Sequence, residues 1–257
     1  MVCYPSRVYI TTHPSISFSS VVRLHTFHKM APQRVAVIGA GISGLAAIKC
    51  SLDEGLQPVC YETRKDVGGL WDFSEKVVFG QGSVMDSTIL NVSKEMMSYS
   101  DFPMPAHLPN YPRHNEYKNY LSQYVDANDM KKYINFETEV LSVKKSDDHE
   151  KTGKWRVTVK GINDGDANAV SEIFDFVLVC SGIHGRPKQP TYPGLEKFKG
   201  KVVHAHGVRN TAGFKGKRVV VIGLGNTGGD VSVEIGNVAS QVSNIGQNSM
   251  RTIFEKW

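Results

Sequence analysis

The sequence predicts an α/β fold with two Rossmann-type dinucleotide-binding domains, and two glycine motifs support this class. The motifs are Gly39-Ala-Gly41-Ile-Ser-Gly44 and Gly223-Leu-Gly225-Asn-Thr-Gly228, and each follows a run of β-branched residues and precedes a segment of helical character. This strand–turn–helix context distinguishes a dinucleotide site from an ordinary glycine-rich turn. Two such units predict two bound dinucleotides, and the usual reason to hold two is to pass a hydride between them.

The first unit is predicted as a strand over Val35–Ile38, a helix over about Ser43–Glu54 and a strand over Pro58–Tyr61. Glu62 follows the second strand, 18 residues beyond Gly44. A carboxylate at this distance from the glycines is placed to accept hydrogen bonds from a ribose hydroxyl. The sequence therefore predicts that Glu62 is part of the first dinucleotide site.

The glycines of such a motif have separate roles in the predicted sites. The first permits the tight turn, the second lets the backbone approach the pyrophosphate, and the third lets the helix pack on the strand. The N–H groups at the helix N-terminus then face the phosphates. The predicted cofactor-binding residues of the two turns are Gly39, Ala40, Gly41, Ile42, Ser43, Gly44, Gly223, Gly225, Asn226, Thr227 and Gly228.

The remaining elements are predicted from their periodicity. Apolar residues at helical spacing over Tyr117–Val125 indicate a helix with one buried face. Alternation over Phe136–Val143 and Trp155–Val159 predicts antiparallel strands joined by a polar loop. The apolar run Phe174–Cys180 predicts a buried parallel strand. The Pro- and Gly-rich stretch Gly185–Gly194 is the strongest candidate for a linker between domains. It predicts one domain over residues 31–185 and a second over residues 186–257.

Composition excludes several classes of protein. The net charge of +5 comes from scattered basic residues, which is not typical of a nucleic-acid-binding face. The four cysteines show no C-x-x-C spacing, so neither a metal site nor a redox dithiol is predicted. No apolar stretch reaches the roughly 18–20 residues of a membrane span. Residues 1–30 are expected to be a disordered leader. Two alternatives are a start codon assigned too far upstream of Met30 and a transit peptide, which the absence of acidic residues before Met30 suits.

Together these segments resemble the flavin-containing monooxygenase family. The first glycine turn, Glu62 and Gly68-Gly-Leu70-Trp71 are similar to the FAD-binding half of that family. Leu90-Asn91-Val92-Ser-Lys-Glu-Met-Met97, followed by Tyr99-Ser-Asp-Phe-Pro103, is similar to the stretch that lies over its flavin. Phe198–His204 resembles the start of its identifying motif, and the second glycine turn with Gly229 and Asp230 resembles its NADPH turn.

The resemblance implies FAD and NADPH as cofactors and O2 as co-substrate. NADPH would reduce FAD, oxygen would add at the flavin C4a as a hydroperoxide, and an amine nitrogen or a sulfide or thiol sulfur of a small molecule would take the terminal oxygen. Asn91 is then the catalytic candidate, because an amide can donate a hydrogen bond without titrating. Two alternative roles for Asn91 are a glycosylation acceptor, since Asn91-Val-Ser93 has the form of a glycosylation sequon, and a simple turn residue. The resemblance adds Leu70, Trp71, Leu90, Asn91, Val92, Gly229 and Asp230 to the cofactor-binding residues.

Departures from the family pattern leave alternatives open. Val208 stands where the identifying motif ends in an aromatic residue, and the family's chains are much longer, so we expect a truncated NADPH domain. A Baeyer–Villiger or N-hydroxylating monooxygenase is one alternative, and a non-catalytic FAD-binding isoform or an incomplete gene model is another. The absence of acidic residues over 241–252 mildly favours NADPH over NADH. The resemblance implies association with the endoplasmic reticulum membrane; a cytoplasmic or mitochondrial location is the alternative.

Overall fold

The structure is a computed structural model that describes residues 32–164, 168–246 and 249–255. The expected leader, residues 1–30, lies outside the described residues. The helices and strands are, in chain order, β1 (Arg34–Ile38), α1 (Ile42–Asp53), β2 (Gln57–Tyr61), α2 (Lys94–Met97), α3 (His114–Ala127), β3 (Ile134–Asn135), β4 (Thr138–Lys145), α4 (His149–Thr152), β5 (Trp155–Gly161), β6 (Val170–Phe174), β7 (Phe176–Val179), β8 (Arg218–Ile222), α5 (Asn226–Gly236), β9 (Gln241–Gly246) and β10 (Ser249–Glu255).

The first glycine motif lies in a four-stranded parallel sheet of order β3-β2-β1-β7. The predicted strand–helix–strand unit is confirmed, because β1, α1 and β2 begin and end within one residue of the predicted bounds. Leu45 and Ile48 of α1 are fully buried against this sheet. The helix therefore covers one sheet face, which is the packing that a parallel sheet requires.

The helix predicted over Tyr117–Val125 is also confirmed, as part of α3. Its five residues at helical spacing are all at least 97% buried: Tyr117, Tyr120, Leu121, Tyr124 and Val125. They belong to the same hydrophobic core as Leu45 and Ile48. One continuous core thus lies beneath the first glycine turn.

A separate antiparallel sheet of order β4-β5-β6 follows. β4 and β5 pair antiparallel across the polar loop, as predicted, although β4 lies two residues further along the chain than the alternation indicated. The polar loop itself holds the short helix α4. The two sheets share a small core that includes Tyr61 and Phe174.

The prediction of one buried parallel strand over Phe174–Cys180 is confirmed in its parallel pairing and wrong in its continuity and burial. The run divides at Asp175 into β6, which is antiparallel to β5, and β7, which is parallel to β1. The Asp175 carboxylate accepts the Arg34 N–H at 2.8 Å, and the Asp175 N–H donates to the Arg34 carbonyl oxygen at 3.0 Å. These two hydrogen bonds hold Asp175 beside Arg34 at the point where the chain passes from one sheet to the other. Strand β7 is an edge strand, and its Val179 is 71% exposed.

The second glycine motif also lies in a strand–helix–strand unit. β8 pairs parallel to β9, with α5 between them in the chain, and β10 pairs antiparallel to β9. Val231 and Ile235 of α5 are buried against this sheet together with Val242. Met85, from the first half of the chain, packs into the same core. The predicted α/β class with two Rossmann-type units is confirmed.

We expect the bond between the two sheets of the first half to make stability depend on pH. Arg34 donates to Glu172 at 2.6 Å, and this hydrogen bond lowers the pKa of the Glu172 carboxyl below its ordinary 4.5. Glu172 therefore stabilises the fold above pH 4.5 and loses this contribution as the pH falls through its lowered pKa. Because both side chains are about one-third exposed, screening limits the expected loss in Glu172→Gln to about 1 kcal/mol at pH 7.

Urea denaturation between pH 2 and pH 8 checks this expectation. The difference between the parent and Glu172→Gln proteins shrinks at low pH, whereas Glu54→Gln, an exposed residue after α1, matches the parent throughout. A difference for Glu172→Gln that stayed constant across this range would contradict the ionic role.

Candidate functional site

The backbone geometry of the first glycine turn leaves no room for side chains at two of its three glycines. Gly39 has a φ of +99°, and a Cβ there would lie 2.7 Å from the carbonyl oxygen of Cys180. A Cβ at Gly44 would lie 1.8 Å from the carbonyl oxygen of Gly39. At Gly41 the nearest atom is 3.6 Å away, on Gly69. Gly39 and Gly44 are therefore required by the fold, whereas a Cβ at Gly41 would make only an ordinary van der Waals contact with Gly69.

The second glycine turn repeats this division. Gly223 has a φ of +124°, and a Cβ at Gly228 would lie 2.3 Å from the Gly223 carbonyl oxygen. A Cβ at Gly225 would meet no described heavy atom within 4 Å. In both turns the middle glycine is thus the one at which the fold tolerates a side chain, so its glycine fits the close approach of a pyrophosphate to the backbone.

Each helix begins directly after the middle glycine of its motif. Gly41 is the N-cap of α1 and Gly225 is the N-cap of α5, and neither N-terminus has a capping side chain. N–H groups in the first turn of each helix therefore remain for an anion. Around the two turns, Ala40 is fully buried, whereas Ile42, Ser43, Asn226, Thr227, Gly229 and Asp230 are exposed at the open side.

Glu62 lies next to the first glycine turn and holds it in place. Its carboxylate accepts the Ala40 N–H at 2.7 Å and the Arg64 N–H at 2.8 Å, and the residue is only 5% exposed. The Thr63 hydroxyl donates to the same carboxylate oxygen as Arg64, at 3.2 Å, so the oxygen that accepts the Ala40 N–H keeps a lone pair for a further hydrogen bond. The Glu62 carboxylate therefore lies at the first glycine turn, as the sequence predicts. The hydrogen bond that it accepts from the Ala40 N–H was not predicted.

The Gly68–Trp71 segment packs directly on the first glycine turn. The Gly68 N–H donates to the Ala40 carbonyl oxygen at 3.0 Å, and a Cβ at Gly69 would lie 3.0 Å from the Gly41 Cα. The two residues that follow, Leu70 and Trp71, are partly exposed. The predicted residues of both segments thus lie side by side.

The Leu90–Val92 segment is anchored at one residue and exposed at the next two. Leu90 is 3% exposed, and its N–H donates to the Pro112 carbonyl oxygen at 2.9 Å. Asn91 is exposed, and its side chain has no hydrogen-bond partner among the described residues. Val92 is 40% exposed. The Asn91 amide is therefore available to a ligand.

Two further residues, Cys180 and Tyr99, support the first turn. Cys180 presents its carbonyl oxygen against Gly39, and its side chain lies beneath Gly44. Tyr99 donates its hydroxyl to the carbonyl oxygen of Ile42 at 2.6 Å. Cys180 carries no motif of its own, whereas Tyr99 begins the Tyr99–Pro103 segment that resembles the family's flavin-covering stretch.

No helix in the described part of the chain combines the length and the apolar character needed to cross a bilayer.

Comparison with known proteins places this architecture in a family. The family model described as flavin-binding monooxygenase-like matches residues 32–253. Flavin-containing monooxygenase 5 of Mus musculus is 47% identical over 215 residues, which are 83% of this chain and 40% of that protein. Dimethylaniline monooxygenase 2 (N-oxide-forming) of Macaca mulatta is 44% identical over 82% of this chain and 39% of that protein.

A solved structure agrees with these relatives. S-allyl-L-cysteine S-oxygenase from Allium sativum superposes with a TM-score of 0.78 at 26% identity, over 88% of this chain and 54% of that one. The chain spans about 40% of the length of the curated relatives that it matches. Because the family model covers most of the described residues, the chain belongs to the flavin-binding monooxygenase-like family.

Proposed function

We propose that the chain binds FAD at the first glycine turn and NADPH at the second, as part of an oxygen-dependent monooxygenase. The observation that carries this proposal is that a Cβ would clash at neither Gly41 nor Gly225, so the fold does not demand these glycines, and each lies at the uncapped N-terminus of a helix. The family match supports a flavin at one of these turns. The proposal assigns residues 31–185 to FAD and residues 186–257 to NADPH.

The residues of the first turn fit a dinucleotide. The N–H groups at the start of α1 would hold the pyrophosphate, and the Glu62 carboxylate would accept a ribose hydroxyl. Leu70 and Trp71 would cover the bound group from the Gly68–Trp71 segment. The second segment, Leu90–Val92, would approach the bound group with Leu90, Asn91 and Val92. When bound, the flavin supplies the oxygen-activating chemistry and NADPH supplies the reducing equivalents.

The second turn fits NADPH by the same physical argument. The N–H groups at the start of α5 would hold its pyrophosphate, with Asn226 and Thr227 at the open side and Gly229 leaving that face uncrowded. Asp230 is exposed one helical turn beyond Gly225 and would face water beside the bound group.

We propose a soft nitrogen or sulfur atom of a small molecule as the oxygenated centre. One relative is named as N-oxide-forming and the aligned solved structure is named as an S-oxygenase. An enzyme of this kind has to orient the acceptor and exclude water, which needs no nucleophilic side chain. Association with the endoplasmic reticulum membrane, which the family resemblance implies, stays a prediction.

Flavin absorbance and product analysis test the proposed activity. The purified chain is loaded with FAD, mixed with NADPH without oxygen, and then exposed to oxygen with a thioether or a tertiary amine. The proposal expects loss of the flavin absorbance on addition of NADPH, and sulfoxide or N-oxide after oxygen. Retained flavin that NADPH does not reduce would contradict the assignment of the second turn.

Asn91 is the proposed catalytic residue, and we expect Asn91→Ala to bind FAD normally while product formation falls. Loss of a hydrogen-bond donor to a developing charge costs about 3 kcal/mol, or about a hundredfold in rate. Hydrogen peroxide released per NADPH consumed should therefore rise as oxygenated product falls. Asn110→Ala, at a nearby exposed asparagine, is the matched control. Equal coupling in the two variants would remove Asn91 from the site.

A further inference from the structure

A continuous series of oxidisable rings lies beside the first glycine turn. Trp71 meets Tyr117 edge to face with ring centroids 5.1 Å apart, and Tyr117 stacks on Tyr120 at 5.7 Å. Tyr120 stacks on Tyr99 at 6.1 Å, and Tyr99 stacks on Tyr124 at 4.1 Å. Core packing accounts for such spacings in general. Here, however, every ring in the series is a tryptophan or a tyrosine, the two aromatic side chains that lose an electron most readily.

The hydroxyl groups along this series have different acceptors. Three of them donate to backbone carbonyl oxygens, which do not take up a proton: Tyr117 to Met97 at 3.1 Å, Tyr120 to Phe102 at 2.6 Å and Tyr99 to Ile42 at 2.6 Å. The Tyr124 hydroxyl faces the carboxylate of Asp101 at 3.4 Å. A phenol gives up its proton when it loses an electron, so the ring that faces a base is the easiest to oxidise. Tyr124 is therefore the favoured end of the series.

Tyr124 also lies beside the protein surface. Burial raises the pKa of Tyr124, and the neighbouring Asp101 carboxylate and Cys50 thiol raise it further. Asp101 and Cys50 are both exposed, whereas Tyr124 is 2% exposed. The Tyr124 end of the series thus has a proton acceptor in contact with solvent, while Trp71 and Tyr99 lie beside the glycine turn.

We propose that Trp71, Tyr117, Tyr120, Tyr99 and Tyr124 form a hole-transfer route that carries oxidising equivalents from the cofactor site to the surface at Asp101. The oxidants would be radicals derived from oxygen, of the hydroxyl-radical class, that arise when the oxygen chemistry of the proposed function misfires. The biological purpose rests on that proposed function, whereas the route itself depends only on side chains of this chain.

The transfer balances in protons and electrons. The oxidant takes one electron from Trp71 and is reduced. One electron then passes stepwise from Tyr124 to Trp71, the phenol proton of Tyr124 passes to the Asp101 carboxylate, and the indole regains from water any proton that it lost. A thiol in solution gives a hydrogen atom to the Tyr124 phenoxyl oxygen. Asp101 releases its proton to water, and the thiol is the group finally oxidised.

Pulse radiolysis with azide radicals tests the route without FAD. The chain has three tryptophans, so a Trp155→Phe/Trp257→Phe background leaves Trp71 as the only one. We expect the tryptophanyl absorbance to decay into tyrosyl absorbance at a rate that does not depend on protein concentration. Tyr117→Phe should slow this step at least tenfold, and Tyr133→Phe, outside the series, should leave it unchanged. Asp101→Asn, at the surface, should also slow it.

Several results would overturn the proposal. They are a concentration-dependent rate, an equal rate in the Tyr117→Phe protein, or an unchanged rate in Asp101→Asn. Circular dichroism establishes that each variant is folded, and the surface variant Asp101→Asn decides the matter where Tyr117→Phe does not fold. Because no flavin is added, a failure of flavin binding is measured separately and leaves this result interpretable.

Discussion

The Gly44→Ala protein is expected to lose more stability than any other single-methyl variant of the first unit. The added Cβ would lie 1.8 Å from the Gly39 carbonyl oxygen, so α1 would have to move away from β1. Overpacking typically costs 1–3 kcal/mol, and we expect a loss of at least about 3 kcal/mol because a backbone atom cannot rotate aside. FAD affinity should fall with it, since the N-terminus of α1 moves.

Guanidinium denaturation with a flavin titration measures both effects. Gly229→Ala is the matched control, because it lies in α5 and a Cβ there meets no described heavy atom within 4 Å. Alanine should stabilise that helix by about 0.5–1 kcal/mol relative to glycine. A Gly44→Ala protein with the denaturation midpoint of the parent would show that α1 does not pack on the turn as described.

The second large effect is expected at Glu62, whose buried carboxylate accepts the N–H groups of Ala40 and Arg64. Glu62→Gln keeps one oxygen and directs an amide NH2 group at the other N–H donor. One buried donor then lacks a partner, which costs about 1–3 kcal/mol. If the proposed ribose contact is correct, FAD affinity should fall by more than tenfold, or about 1.4 kcal/mol.

Amide hydrogen exchange separates the two roles of Glu62. Faster exchange at Ala40 and Arg64 without FAD would report loss of the hold on the turn, whereas a further loss of FAD affinity reports the ligand contact. Glu54→Gln, at an exposed glutamate of the same unit, should change neither quantity. Unchanged exchange at both amides in Glu62→Gln would contradict the structural role.

The parts of the fold that depend on local sequence were predictable. A β-branched run, a glycine turn and an amphipathic segment specify β1, α1 and β2 within a few residues of one another, and the same holds for β8 and α5. The aromatic face of α3 follows from its helical spacing alone. These predictions were confirmed because each depends on neighbours within one or two turns.

The parts that depend on distant residues were not predictable. The division of the run at Asp175 depends on its bonds to Arg34, 141 residues away in the chain. The packing of Met85 into the core of the second unit, and the Cys180 carbonyl beneath Gly39, likewise join remote segments. Hydrophobicity alone predicted burial of the run at 174–180, but β7 lies at the sheet edge, and its exposure is a property of the topology.

The central claim is that the two glycine turns hold two different dinucleotides. Isothermal titration of FAD and NADP+ into Gly41→Val and Gly225→Val proteins tests it directly, because valine would place a branched side chain where the pyrophosphate has to approach the backbone. We predict that Gly41→Val weakens FAD at least tenfold, or about 1.4 kcal/mol, and leaves NADP+ unchanged, with the reverse pattern for Gly225→Val. Parental FAD affinity in Gly41→Val, or the loss of both ligands in each variant while the fold is intact, would contradict the assignment.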